Sequence, residues 1–215
     1  MSWETFINKE LNEDYMKSLS KFITNERLTK KIYPTKENVL NVFKQEFENI
    51  KVVIIAQDPY SNEGEAHGYA FSTLNELKTP KSLQIIQKAI EQDIYNGLKL
   101  DSKNNLEYLV NQGVFLLNKI LTVENKKPLS HKNIGWETFT NKVIQELDKH
   151  KNNLVFLLFG KEAHIIKNLI SERHYVIETE HPAASAYAGR QWVYNNCFSK
   201  CNEFLKSQNL KEIEW

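Results

Sequence analysis

Five apolar residues in a row, Val52-Val53-Ile54-Ile55-Ala56, give way abruptly to Gln57-Asp58-Pro59-Tyr60. The first four are β-branched, and a run without polar alternation reads as a strand buried on both faces, the pattern of a parallel sheet covered by helices. Asp58 then stands just past the strand's carboxyl end, which in open α/β sheets is the edge where ligands bind. Pro59 confines Asp58 to extended backbone angles and stops the strand. A carboxylate on a rigid turn beside an aromatic ring suits catalysis. The same residues also suit an ordinary turn with a capping Asp, and spacing alone does not separate the two.

Three more apolar runs repeat the pattern: Gly113 to Asn118, Asn153 to Gly160, and Tyr175 to Glu178. Strand and helix signals alternate between them. The expectation is an α/β fold in which a four-stranded parallel twisted sheet is flanked by helices on both faces. The even spread of these runs over 215 residues gives no place to cut, so residues 1–215 are read as a single domain. Asn118 ends its run as Asp58 does, at the same sheet edge. Residues 3–31 carry helical spacing through Leu11, Tyr15, Leu19 and Phe22. A second amphipathic helix is expected from Thr35 through Val39, Val42, Phe43 and Phe47. A third begins at Thr79-Pro80-Lys81-Ser82, with Thr79 as its cap and Pro80 in the first turn. The free amides at that helix start and the Ser82 hydroxyl would suit a phosphate.

Hydrophobic residues make up 41% and charged residues 26% of the chain, a balance typical of soluble globular proteins. The net charge of +1 means that any nucleic-acid surface must gather its cations on one face. An acidic, aromatic start (Met1-Ser2-Trp3-Glu4) and no stretch long enough to span a membrane lead to the expectation of a cytoplasmic protein. Cys197 and Cys201, four apart, suit neither a zinc pair nor an iron-sulfur cluster and are read as reduced packing residues. No Gly-rich phosphate loop follows the first strand, which argues against a nucleotide-binding α/β protein.

The block Asp58-Pro59-Tyr60 with Ala66-His67-Gly68-Tyr69-Ala70-Phe71-Ser72 resembles the first signature of the uracil-DNA glycosylase family. The Leu116-Leu117-Asn118 strand end, the Ser130-His131-Lys132 stretch with Gly135-Trp136-Glu137, and His181-Pro182 are similar to further family motifs, so the likeness covers most of the chain. The resemblance implies a base-flipping hydrolase that cleaves the bond between uracil and deoxyribose and leaves an abasic site, with no metal or other cofactor. It makes Asp58 and His181 catalytic, and gives the uracil pocket to Gln57, Tyr60, Phe71 and Asn118. DNA contacts fall to Ser82, His131, Lys132, Ser185, Tyr187 and Arg190.

The implied partner is uracil-containing DNA, single- or double-stranded, bound by a monomer. An inhibitor or replication protein could dock on the same face. The chain departs from the family pattern in two places. Ser61 replaces the histidine after the tyrosine. In the second signature Ala183 and Ala186 stand where serines grip phosphate, and Ser185 aligns with the leucine that wedges into the duplex, which leaves Tyr187 or Arg190 as substitutes. The rival reading is a catalytically dead glycosylase fold that only holds DNA.

Overall fold

The apolar runs become strands of one sheet, and their pairing decides what each residue faces. In a computed structural model of the chain, which describes residues 1–101, 103–187 and 189–215 except for the side chains of residues 162, 186 and 187, the elements in order are α1 (Trp3–Glu10), α2 (Asp14–Thr29), β1 (Ile32–Tyr33), β2 (Val52–Ala56), α3 (Lys81–Asp93), α4 (Glu107–Val110), β3 (Val114–Asn118), β4 (Val123–Glu124), α5 (Trp136–His150), β5 (Val155–Phe159), α6 (Lys161–His164), β6 (Tyr175–Thr179), α7 (Pro182–Tyr187) and α8 (Cys197–Ser207). The main sheet is four-stranded and wholly parallel in the order β3-β2-β5-β6. A small antiparallel pair, β1 with β4, was not foreseen from the sequence.

Because side chains alternate across a strand, each buried run feeds two cores. Val52, Ile54 and Ala56 of β2 join Val114, Leu116, Val155 and Leu157 on one face, covered by α3 and α8 through Leu83, Ile86, Phe198 and Leu205. Val53 and Ile55 join Phe115, Leu117, Phe156 and Leu158 on the other, covered by α1, α2 and α5 through Phe6, Leu19, Phe139 and Ile144. Helices on both faces are thus what makes these runs uniformly apolar. Cys197 and Cys201 are free thiols buried in the first core. No helix among the described residues is long and apolar enough to cross a membrane.

Three expectations need correction. The helical spacing over residues 3–31 is broken at 11–13 into α1 and α2, and Leu11 and Phe22 lie largely exposed. The helix expected from Thr35 is instead a series of short 3-10 turns, Lys36–Asn38, Asn41–Lys44 and Phe47–Asn49. Phe43, Gln45 and Phe47 are all buried there, an alternation that one face of a helix cannot supply. Side-chain donors hold it, Asn41 Nδ2 to His67 O at 2.8 Å and Gln45 Nε2 to Val110 O at 2.9 Å. At the start of α3, Pro80 is the cap residue, and the Thr79 hydroxyl donates to Asn104 Oδ1 at 2.8 Å rather than to the helix.

Candidate active site

Parallel pairing sets Ala56 opposite Asn118, so the β2 and β3 ends lie level and Asp58 emerges two residues beyond. Pairing of β5 with β6 brings Phe159 beside Thr179, and His181 follows two residues later. All three polar residues therefore leave the same sheet edge. They line a cleft of about 600 Å³ together with Gln57, Tyr60 and Phe71. A wider cleft of about 880 Å³ at the amino ends of the strands, lined by Lys44, Lys51, Lys151 and Lys211, contains none of them.

Asp58 is half-buried, and its Oδ2 accepts the Leu129 N–H at 2.7 Å. Burial pushes its carboxyl above the usual carboxylate range, and the Leu129 bond partly opposes this. Leu129 itself has φ 63, and its loop is tied back to the first signature by Lys126 N–H to Ser61 O at 2.9 Å. The backbone donor that orients Asp58 thus comes from a polar loop that sequence reasoning passed over.

His181 is held from two sides. Its Nδ1 accepts the Ala183 N–H at 3.2 Å, which leaves the proton of the neutral ring on Nε2, and burial lowers its pKa so that the neutral form prevails near pH 7. Behind it, a Cβ on Gly160 would stand 2.8 Å from His181 Cβ, and Gly160 has φ +91. Glycine is therefore required there twice over, for conformation and for space. Gly160→Ala should displace the imidazole and lower kcat roughly 10²-fold, the order of loss expected from an ångström-scale misplacement. Single-turnover excision checks this, and a rate within twofold of wild type would count against the contact.

Phe71, a bulky residue, adopts φ 63, a left-handed conformation held only where surroundings enforce it. Hydrogen bonds to Phe71 and to Ser72 enforce it. Tyr60 Oη donates to Phe71 O at 3.0 Å and, since that proton is committed, accepts from Ser82 Oγ at 2.9 Å. Ser72 Oγ accepts the Leu106 N–H at 2.8 Å and contacts His67 Nε2 at 2.7 Å. The Phe71 ring lies 6.0 Å from that of His181, inclined by 43°. Burial drives the Tyr60 phenol well above its ordinary pKa, so it stays a neutral wall.

Asn118 is only 5% exposed, and its Oδ1 has no hydrogen-bond partner among the described residues. An unpaired buried acceptor costs about 1–3 kcal/mol, which a ligand donor in the cleft would recover. Among the described residues no group of three His, Cys, Asp or Glu is placed to hold a metal ion.

Several expected DNA contacts lie elsewhere. His131 is 1% exposed and buried behind the surface, Nδ1 bonded to Thr122 Oγ1 at 2.7 Å, with Trp136 Nε1 donating to the same hydroxyl. It is a brace, because the Trp136 and Phe139 face draws the start of α5 into the core. Ser185 is also 1% exposed, its hydroxyl donating to Pro182 O at 2.7 Å within α7, so it neither wedges nor grips phosphate. Ser82 is buried with its hydroxyl on Tyr60 rather than free at the start of α3. Lys132 is exposed, and Arg190 is exposed but paired with Glu180 at 2.7 Å. The Tyr187 side chain lies outside the described residues.

The family model described as the uracil DNA glycosylase superfamily matches residues 43–206. Curated uracil-DNA glycosylases of Francisella philomiragia and Borrelia turicatae are each 43% identical to this chain, covering all of it and 99% and 96% of their own lengths. Among solved structures, mimivirus uracil-DNA glycosylase superposes with a TM-score of 0.89 at 27% identity, over 99% of this chain and 85% of that one. The UNG of Nitratifractor salsuginis, at 18% identity and a TM-score of 0.59, shares the fold over 86% of this chain and 84% of its own. The family match and the 43% identity along the whole chain settle membership: the chain belongs to the uracil-DNA glycosylase superfamily, and its work is the excision of uracil in DNA repair.

Proposed function

We propose that the six cleft residues divide the excision between them as follows. Phe71 stacks on the extruded uracil. Asn118 reads its pairing edge, Oδ1 accepting N3–H and the amide N–H donating to O4. Tyr60 stands against C5 and collides with a thymine methyl. As the bond from C1′ to N1 breaks, its electron pair leaves on uracil, and His181 donates Nε2–H to the charge gathering on O2. The Asp58 carboxylate stabilises the cationic sugar and orients the water that adds at C1′. Gln57 assists through its backbone N–H and side chain. A protein that only held DNA would have no use for Asp58 and His181 together.

The observation that carries this reading is the buried Oδ1 of Asn118, without a partner among the described residues, on a side chain that lines a cleft whose histidine keeps its proton on Nε2. The test is a gel assay on an oligonucleotide with a single uracil. Free uracil and an alkali-labile site are expected in the presence of EDTA. Complete loss on chelation, restored by zinc or magnesium, would sink it.

Variants of mimivirus UNG have been solved in complex with UGI. We infer that this chain, acting as an intracellular monomer, also accepts a protein on its cleft face. Inhibition of excision by added UGI is the expected result, and full activity at excess UGI would refute it.

A further inference from the structure

A donor such as His181 Nε2–H works only while it stays within about 0.5 Å of its productive place, and the backbone that carries the ring sets that place as much as the ring's own partners do. His181 stands two residues past Thr179, where strand pairing has ended. Among the described residues, four donors meet the two carbonyls that precede it. Thr179 O accepts the Gly160 N–H at 3.0 Å and the His164 Nε2 proton at 2.8 Å. Glu180 O accepts the Trp192 indole N–H at 2.8 Å and the Thr179 hydroxyl at 3.0 Å. Both lone pairs of each oxygen are thereby used.

Two of these donors are side chains brought from other elements. His164 ends α6, and its own N–H donates to Gly160 O at 3.1 Å, which ties the imidazole to the glycine that backs His181. Trp192 lies in the irregular stretch after α7 and is nevertheless only 4% exposed. Its ring meets Phe159 at 5.3 Å and Phe198 at 6.4 Å, both edge to face. Phenylalanine would satisfy that packing. The indole N–H is what tryptophan adds, and a buried one needs an acceptor, which here is the carbonyl of the residue just before the histidine.

We propose that His164 and Trp192 are positioning residues for excision: they clamp the Thr179 and Glu180 carbonyls and so hold the backbone that aims His181 at the leaving uracil oxygen. The proposal rests on the donor role given to His181 above. Its test measures single-turnover excision and DNA binding on one uracil oligonucleotide for Trp192→Phe, His164→Leu and His164→Gln, each made both alone and together with His181→Leu.

With His181 present, Trp192→Phe and His164→Leu should each lose about tenfold in rate at unchanged Kd, the loss expected of a displacement smaller than an ångström. His164→Gln should keep the rate within about twofold, since the Gln amide N–H can donate where the imidazole did. In the His181→Leu background the same substitutions should change the rate by less than about twofold, because the clamp then has no donor to aim. A merely structural role would give the same loss in both backgrounds. Full rate in Trp192→Phe or in His164→Leu, an equal loss with and without His181, or a His164→Gln as slow as His164→Leu overturns the proposal. A His181→Leu protein that itself excises at the wild-type rate would overturn the donor role instead.

Discussion

Asp58→Asn is expected to bind uracil-containing DNA about as well as wild type and to lose about 10²–10³ in single-turnover rate, the range for removing one preorganised electrostatic group. The geometry should survive, because an amide oxygen can accept the Leu129 N–H as Oδ2 does. What disappears is the negative charge facing the cationic sugar, an interaction made only in the transition state. Stability should move the other way. Burial raises the carboxyl's pKa above its unfolded value, so the folded state holds its proton more tightly and loses stability as pH rises from the unfolded pKa through the folded one. Asn removes that cost, and Asp58→Asn should melt at or above the wild-type temperature near pH 7.

His181→Leu should lose roughly 10²-fold at unchanged binding, because it deletes the Nε2–H donor aimed at the leaving oxygen. Near-normal single-turnover cleavage by either variant would show that the roles are misassigned.

Base choice should change with the walls of the cleft. Tyr60→Ala opens the space against C5 and is expected to release thymine from ordinary T·A duplex, with kcat/KM on uracil also reduced. The second effect follows from Tyr60 Oη, which holds Phe71 O at 3.0 Å and so helps fix the left-handed turn at Phe71. Ser82→Ala separates the two: it loosens Tyr60 without opening the wall, so uracil release should slow while thymine stays refused. Asn118→Asp replaces an amide donor by an acceptor, matching the N4 amino group of cytosine where uracil has O4. Slow cytosine release is the expected outcome. Mass spectrometry of the freed bases decides both cases, and release of neither foreign base would refute the pocket as drawn.

The sequence by itself determined the four sheet strands and the edge on which chemistry gathers. Runs such as Val52 to Ala56 are apolar at every position, and only a strand covered on both sides makes that pattern stable, so the two helical layers followed without knowledge of any contact. That pattern put Asp58 and Asn118 at one edge for the same reason, since polar residues ending such runs in a parallel sheet emerge together, whereas the roles expected of them and of His181 came from the resemblance of the motifs rather than from spacing.

Tertiary structure alone decided what each loop and helix start presents. Local periodicity carries no information about which distant atom will claim a side chain. Asn41 and Gln45 reach backbone oxygens at His67 and Val110 and turn an apparent helix into 3-10 turns. Core packing of Trp136 and Phe139 takes His131 inside. The Leu129 N–H meets Asp58 from 71 residues away, and the absent side chain of Gly160 makes room for His181. These are pairings between segments far apart in the chain, fixed by strand order and burial, and they set how a strand-end carboxylate and a histidine stand in one cleft.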